Sequence, residues 1–208
     1  MESELIIAEL LATKICHDFS GGIGAIHNGI EFIEEEGSIS TSDALFNIIS
    51  SNTINLISKI KLYRFMFGLS SADGVVNLEN VKAFLSAAMA GSKTTLVWDL
   101  EYISINNRQA KFLALLAYIA HENLIYGGTL NINIQTGEQN AIICNIICSS
   151  TKTHLKECLK DLFILKQEIM PSLDNLFPVI ASTSAREINA DVSLSVSDMQ
   201  FTFYITFN

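Results

Sequence analysis

The chain is poor in several things at once. Of its 208 residues only 17% are charged and only 2 are proline. No stretch is low in complexity, so a disordered chain is excluded. Long apolar runs are missing too. The longest, Phe112 to Ala120, falls far short of the roughly 20 residues that span a bilayer. With an acidic amino terminus, "MESEL", a secretory signal is not expected, and the protein is expected to be cytoplasmic. The cysteines Cys16, Cys144, Cys148 and Cys158 have no CxxC spacing. They read as reduced, mostly buried thiols, with no metal site. Basic residues are outnumbered 22 to 13, for a net charge of −9. That argues against nucleic acid or an anionic membrane as the main partner.

What is present is apolar pattern. Hydrophobic residues make up 49% of the chain, enough for a sizeable core. In "LLATKICHDFSGGIGAIHNGIEFIEEE", Leu11, Ile15, Phe19, Ile23, Ile26, Ile30 and Ile33 recur at spacings of three and four. That is the seam of one long helix. Gly37 ends it as a C′ residue, and Ser40, Thr41 or Ser42 caps a second helix. The second seam is Leu45, Ile49, Leu56, Ile60, Tyr63 and Phe67, with Thr53 filling a step. A connection of about four residues makes the two helices an antiparallel hairpin. Two long seams need cover on both sides, which a second hairpin in a dimeric four-helix bundle supplies. A bundle completed by the rest of the chain is the rival arrangement.

Gly68 to Gly74, "GLSSADG", reads as a linker. It separates a hairpin over residues 1–70 from a second domain over 75–208. There "NLENVKAFLSAAMAG" reads as a helix capped by Asn77, "TTLVWDL" as a strand, and "NNRQAKFLALLAYIAHENLIYGG" as an apolar helix. "TLNINIQ" and "NAIICNIICSS" form a hairpin of strands around "TGEQN". "THLKECLKDLFIL" and "LDNLFPVIASTSAREINA" read as helices, and "DVSLSVS" and "QFTFYITFN" as closing strands. The fold class is α+β: the hairpin, then a mostly antiparallel sheet with helices on one face.

Ser20, Gly21, Gly22 and Gly24 interrupt the first helix, although each glycine weakens a helix by roughly 1 kcal/mol relative to alanine. With Ile15 at zero and about 100° per residue, the seam centres near 35° and His17 falls near 200°. Ser20, Gly21, Gly24 and Asn28 share the face of His17. The imidazole therefore stands outside the bundle, beside a strip almost bare of side chains where a partner's surface can settle. The plain alternative is a solvated histidine, with the glycines serving close helix packing. A carboxylate beside an imidazole, as in His17-Asp18, can hold one ring nitrogen protonated and leave the other as a nucleophile. In a hairpin turning near residue 39, His17 lies level with about residue 62, which brings Lys61 and Arg64 to its height. Lys14 is one turn away. Three cations suit an acidic partner or a phosphoryl group. His27, His121 and His154 read as structural.

"ICHDFSGGIGAIHNGIEFI" resembles the H-box of the alphaproteobacterial histidine phosphotransferases of the ChpT type. The pattern is Cys-His-Asp, small residues, then Ala-Ile-x-Asn-Gly-hydrophobic-Glu, here Ala25 to Glu31. "ADGVVNLENV", "LLAYIAHENLIYGGTLNINI" and "NLFPVIASTSAREINADVSLSV" resemble later parts of that family. The resemblance implies a homodimer and a second domain shaped like a histidine kinase's ATP-binding domain but unable to bind ATP. It also implies a relay: phosphoryl passes from the receiver aspartate of a hybrid histidine kinase to His17, then to the aspartate of a response regulator. His17 is then the phosphoacceptor and Asp18 its acidic neighbour. Lys14, Ser20, Gly21, Gly24, Asn28, Lys61 and Arg64 form the partner surface. The chain binds no cofactor, and the receiver brings Mg²⁺. Nucleotide binding has its own requirement, a DxGxG loop after a strand. Here "SSTKTHLK" follows "NAIICNIIC", and Asn123 fits the asparagine of such sites only imperfectly. An autokinase is therefore disfavoured. A dimeric adaptor that binds receivers without transfer is the other reading, and a purely structural hairpin the third.

Overall fold

The computed structural model describes residues 2–36, 42–69, 74, 76–100, 103–138 and 141–207. The proposed caps at Gly37, Ser40 and Thr41, most of the 68–74 linker and the tip of the "TGEQN" turn lie outside them.

Helix α1 (Glu2–Glu36) runs without a break through its glycines, and α2 (Ser42–Phe67) returns beside it. Two glycines explain how closely they approach. A β-carbon on Gly22 would lie 2.8 Å from Leu56 Cδ2, and one on Gly29 would lie 2.8 Å from Ile49 Cγ1. Gly21 and Gly24 have nothing within 4 Å of that position. The glycines thus divide by face: Gly22 and Gly29 close the hairpin, and Gly21 and Gly24 bare its outside.

Helix α3 (Leu78–Met89) is capped by Asn77, whose side chain accepts from the Glu79 amide, and is followed by Gly91 at a left-handed φ of 80°. Strand β1 (Thr94–Leu100), α4 (Asn107–Glu122) and β2 (Gly128–Thr136) form a parallel β-α-β unit. Asn106 and Gln109 build a capping box at the start of α4. Strand β3 (Ile142–Ser149), the short α5 (Glu157–Phe163), α6 (Leu176–Glu187), β4 (Ala190–Val196) and β5 (Gln200–Phe207) follow. The sheet order is β1-β2-β3-β5-β4, and every pairing except β1 with β2 is antiparallel.

Three helices are shorter than their patterns predict, and the first, α4, stops at Glu122 with Asn123 as its C-cap, before the glycine pair Gly127-Gly128. Before α5, the Thr153 amide bonds the Asp198 carbonyl and the Lys156 amide bonds the Asn123 side chain, so that segment's donors are spent outside a helix. After α6, Asn189 takes φ 53°, and the chain turns directly into β4.

The strand side chains alternate. Leu130, Ile132 and Ile134 of β2, Cys144, Ile146 and Cys148 of β3, and Phe201, Phe203, Ile205 and Phe207 of β5 are buried. The apolar α4 lies in the same core, with every residue from Ala110 to Ala120 except Lys111 buried. That core continues into the base of the hairpin. Leu62, Tyr63 and Met66 belong to it, and Ile7, Leu10, Leu11, Ile15 and Phe19 pack against it. So the chain itself covers the lower hairpin, as the rival arrangement has it. The upper hairpin is bare: Ile23, Ile30 and Ile33 of α1 and Phe46, Ile54, Ile57 and Ile60 of α2 are exposed. Among the described residues no helix is long and apolar enough to cross a membrane.

Candidate functional site

His17 projects from α1 with its side chain 83% exposed, opposite the stripe that packs on α2. Asp18, the next residue, turns inward and is only 10% exposed. The two side chains diverge by about 100° because successive helical residues do, yet Asp18 Oδ1 still reaches within 3.6 Å of His17 Nδ1.

Asp18 is held from three sides. Lys14, one turn earlier, donates to Oδ1 at 3.0 Å. Tyr63 of α2 donates its hydroxyl proton to Oδ2 at 2.6 Å, and His17 flanks Oδ1. Burial by itself would push this carboxyl up. The Tyr63 hydroxyl and the Lys14 ammonium outweigh it, with Lys59 adding to them, and the group lies below the ordinary carboxylate value. Asp18 is thus a fixed anion rather than a ready proton acceptor.

The ring of Tyr63 is fixed in turn by an aromatic cluster. Phe19, Phe67, Tyr118 and Phe177 surround it at centroid distances of 5.7 to 5.9 Å. The Tyr118 hydroxyl lies 3.5 Å from that of Tyr63, and Glu122, one turn on, adds to burial in raising the Tyr118 pKa. Burial raises the pKa of both tyrosines and of Glu122, so the phenols are protonated donors at any physiological pH. Lys14 lies 5.8 Å from the Phe177 centroid, so its ammonium belongs to this cluster and is not free for a visitor.

The residues expected around His17 are brought together unevenly. Ser20 and Asn28 are exposed, and beside them Gly21 and Gly24 leave open backbone. The Ser20 hydroxyl donates to the Cys16 carbonyl at 2.7 Å. Lys61 and Arg64 do not join them. They line a separate cleft with Phe65, Phe84, Asn107 and Lys111, because their phase on α2 turns them away from α1. The α2 cation that acts on Asp18 is Lys59. Sequence reasoning missed Lys59, and it read Tyr63 as a seam residue only. A phenol in a seam of leucine and isoleucine must find a polar partner, and that was the available signal.

The other histidines are placed elsewhere. His27 pairs with Glu31 at 3.3 Å on the surface, and His121 Nδ1 lies 3.1 Å from Thr94 Oγ1. His154 precedes α5 rather than lying on a helix, since that helix begins only at Glu157. Asn123 is buried with its amide committed. Nδ2 donates to the Ile119 carbonyl at 2.8 Å, and Oδ1 accepts from the Lys156 amide at 3.0 Å. Cys144 and Cys148 are buried and Cys158 half-buried, whereas Cys16 is exposed. Among the described residues no three His, Cys, Asp or Glu side chains gather as a metal site.

The fold thus joins a helical hairpin that presents an exposed histidine to a five-stranded α/β unit. Residues 78–200 match the histidine phosphotransferase C-terminal domain family. The chain belongs to the histidine phosphotransferase family, in line with the ChpT-type resemblance. It is 26% identical over 134 residues to the protein phosphotransferase ChpT of Brucella abortus (strain 2308). That stretch covers 64% of this chain and 63% of the relative, so a good third of the relative lies outside it. A solved bacterial phosphotransferase superposes with a TM-score of 0.85 at 18% identity, over 98% of this chain and 97% of that one. The histidine kinase domain of a blue-light activated kinase from Erythrobacter litoralis EL346 gives 0.52 at 8% identity, over 88% and 94%. At such identities these two likenesses concern the fold, a hairpin followed by a kinase-type ATPase-like unit.

Proposed function

We propose that this protein relays a phosphoryl group through His17 between the receiver aspartate of a hybrid histidine kinase and the aspartate of a response regulator. The observation that carries the reading is the placement of His17. Its ring is 83% exposed beside a carboxylate anchored at 10% exposure, and Gly21 and Gly24 leave bare helix next to it. A receiver lying flat on that strip puts its phospho-aspartate in line with the ring. With Asp18 on the Nδ1 side, Nε2 is the nitrogen turned outward. The Nε2 lone pair forms the new bond to phosphorus while the bond from phosphorus to the aspartyl oxygen breaks, and the carboxylate leaves. The receiver contributes its own Mg²⁺, which stabilises charge on the transferring group. This chain supplies position and a nucleophile.

The bare stripes of Ile23 and Ile30 on α1 and of Ile57 and Ile60 on α2 support a homodimer through a four-helix bundle. His17 then lies on its outside. The second unit is read as not binding ATP, because the Asn123 amide is occupied by protein partners and "SSTKTHLK" stands where a glycine-rich loop is required.

The test is transfer of labelled phosphate from a phosphorylated receiver domain. Wild type is expected to take the label and His17→Ala not. Equal labelling of both would end the relay. A His17→Ala protein that still binds the receiver and retains full function in the cell would favour the adaptor instead.

A further inference from the structure

We propose that Tyr63 is a positioning residue for the phosphoacceptor, holding the Asp18 carboxylate against Nδ1 of His17, and that Tyr118 of α4 ties this hold to the second unit. The inference rests on His17 being the phosphoacceptor.

At position 63 the ring and the hydroxyl have separate roles. The ring is 4% exposed and packed among Phe19, Phe67, Tyr118 and Phe177. A phenylalanine would fill that space equally well. The hydroxyl contributes only a polar link, and at 2.6 Å it is a short, charge-assisted one to Asp18 Oδ2. With Lys14 on Oδ1 at 3.0 Å, both carboxylate oxygens are engaged and the group has no free rotation. Oδ1 is thereby left facing His17 Nδ1 at 3.6 Å. That separation exceeds a hydrogen bond, as is common before a partner closes on a site.

In a neutral imidazole one nitrogen carries the proton, and the bond made by that nitrogen decides which. A fixed carboxylate beside Nδ1 favours the Nδ1–H form and leaves the Nε2 lone pair outward. On phosphorylation at Nε2 the ring becomes a cation that retains Nδ1–H. The anion already beside it stabilises that charge without taking the proton.

The chain of contacts continues beyond the hairpin. Tyr63 has one hydroxyl proton and gives it to Asp18, so across the 3.5 Å gap Tyr118 is the donor. Tyr118 stands on α4, the apolar helix of the second unit, so the link carries the hairpin's hold on Asp18 into that unit. The groups bearing on Asp18 are therefore Lys14 and His17 of α1, Lys59 and Tyr63 of α2, and Tyr118 and Glu122 of α4. The links of Tyr63 to Asp18 and to Tyr118 lie inside the aromatic cluster, away from the Gly21 and Gly24 strip on which a receiver would dock.

The experiment compares wild-type full-length protein with Tyr63→Phe, Tyr118→Phe and Asp18→Asn. Phosphoramidate is the donor: its phosphorus–nitrogen bond breaks, ammonia leaves, and no receiver has to dock. Two quantities are read, the rate of phosphohistidine formation across pH and the His17 tautomer from two-bond 1H–15N correlation spectra. Wild type is expected to hold the Nδ1–H tautomer. Tyr63→Phe should shift His17 toward Nε2–H and slow phosphorylation by about tenfold, the order expected for losing one hydrogen bond to a charged group. Its acid limb should move to higher pH, since the hydroxyl that lowers the Asp18 pKa is gone. Tyr118→Phe should do the same to a smaller degree. In Asp18→Asn that acid limb should vanish.

A Tyr63→Phe protein with wild-type tautomer and wild-type rate overturns the proposal. An effect of Tyr63→Phe with none from Tyr118→Phe overturns the tie to the second unit. A wild type that gains no phosphohistidine counts against the relay reading, and the tautomer then still decides the positioning claim.

Discussion

Leu56 occupies the space where a side chain on Gly22 would begin: its Cδ2 lies 2.8 Å from that β-carbon position. The same arrangement recurs seven residues on, between Ile49 and Gly29. One glycine per two turns on the α2-facing side therefore sets the spacing of the hairpin, while Gly21 and Gly24 have no such neighbour. Adjacent glycines in one motif, Gly21 and Gly22, answer to different demands.

A first prediction separates those demands. Gly22→Ala and Gly29→Ala should lower the melting temperature, because the new carbon overlaps a leucine or isoleucine of α2. Gly21→Ala and Gly24→Ala should raise stability by about 0.5–1 kcal/mol, the helix-propensity difference. Replacing both outer glycines by leucine should leave the fold intact and block phosphotransfer from a receiver. Thermal unfolding and the transfer assay together check this. Unhindered transfer with two leucines would remove the docking strip.

The bare apolar faces yield a second. Ile30→Glu with Ile57→Glu should give a folded monomer by sedimentation, with the circular dichroism of the wild type, because both positions are exposed in the single chain. A dimer that survives these charges would place its interface elsewhere.

The α2 cations give a third. Lys59→Glu should slow phosphotransfer several-fold, since Lys59 is the α2 cation acting on Asp18. Lys61→Glu and Arg64→Glu should leave the rate from phosphoramidate unchanged, as both face the Phe65–Phe84 cleft. A larger effect at Lys61 than at Lys59 would reverse this assignment.

Two half-buried carboxyls titrate in opposite senses, which gives a fourth. The Asp18 pKa is lowered by folding, so its contribution to stability is present above its unfolded value of 3.8 and is lost as pH falls below that. Asp18→Asn should therefore destabilise near neutral pH and become neutral in strong acid. The Glu122 pKa is raised, chiefly by burial, so its contribution is complete below 4.5 and is lost as pH rises through the folded value. Glu122→Gln should gain stability relative to wild type as pH rises from 4 toward 7. Urea unfolding at several pH values tests both signs.

Much of this protein was written locally. Periodicities of three and four in Leu11 to Ile33 determine the long helix, and Asn77 and Gly91 bracket α3 by their own chemistry. Alternation in "TLNINIQ" and "QFTFYITFN" gives strands with one buried face. The opposition of His17 to the apolar seam follows from 100° per residue alone. Those features depend on neighbours in the chain, so spacing suffices to read them.

What needed the folded molecule was everything set by packing between elements. The ends of α5 and α6 were decided by distant partners of Thr153 and Lys156 and by the turn at Asn189. Which glycines close the hairpin depends on where Leu56 and Ile49 arrive from α2. That Lys59 rather than Lys61 serves Asp18 depends on the rotation of α2 about its axis, where a two-residue shift is more than half a turn. Tyr63 meets Asp18 across 45 residues of sequence, and no local pattern encodes a contact made by two helices only after they pack.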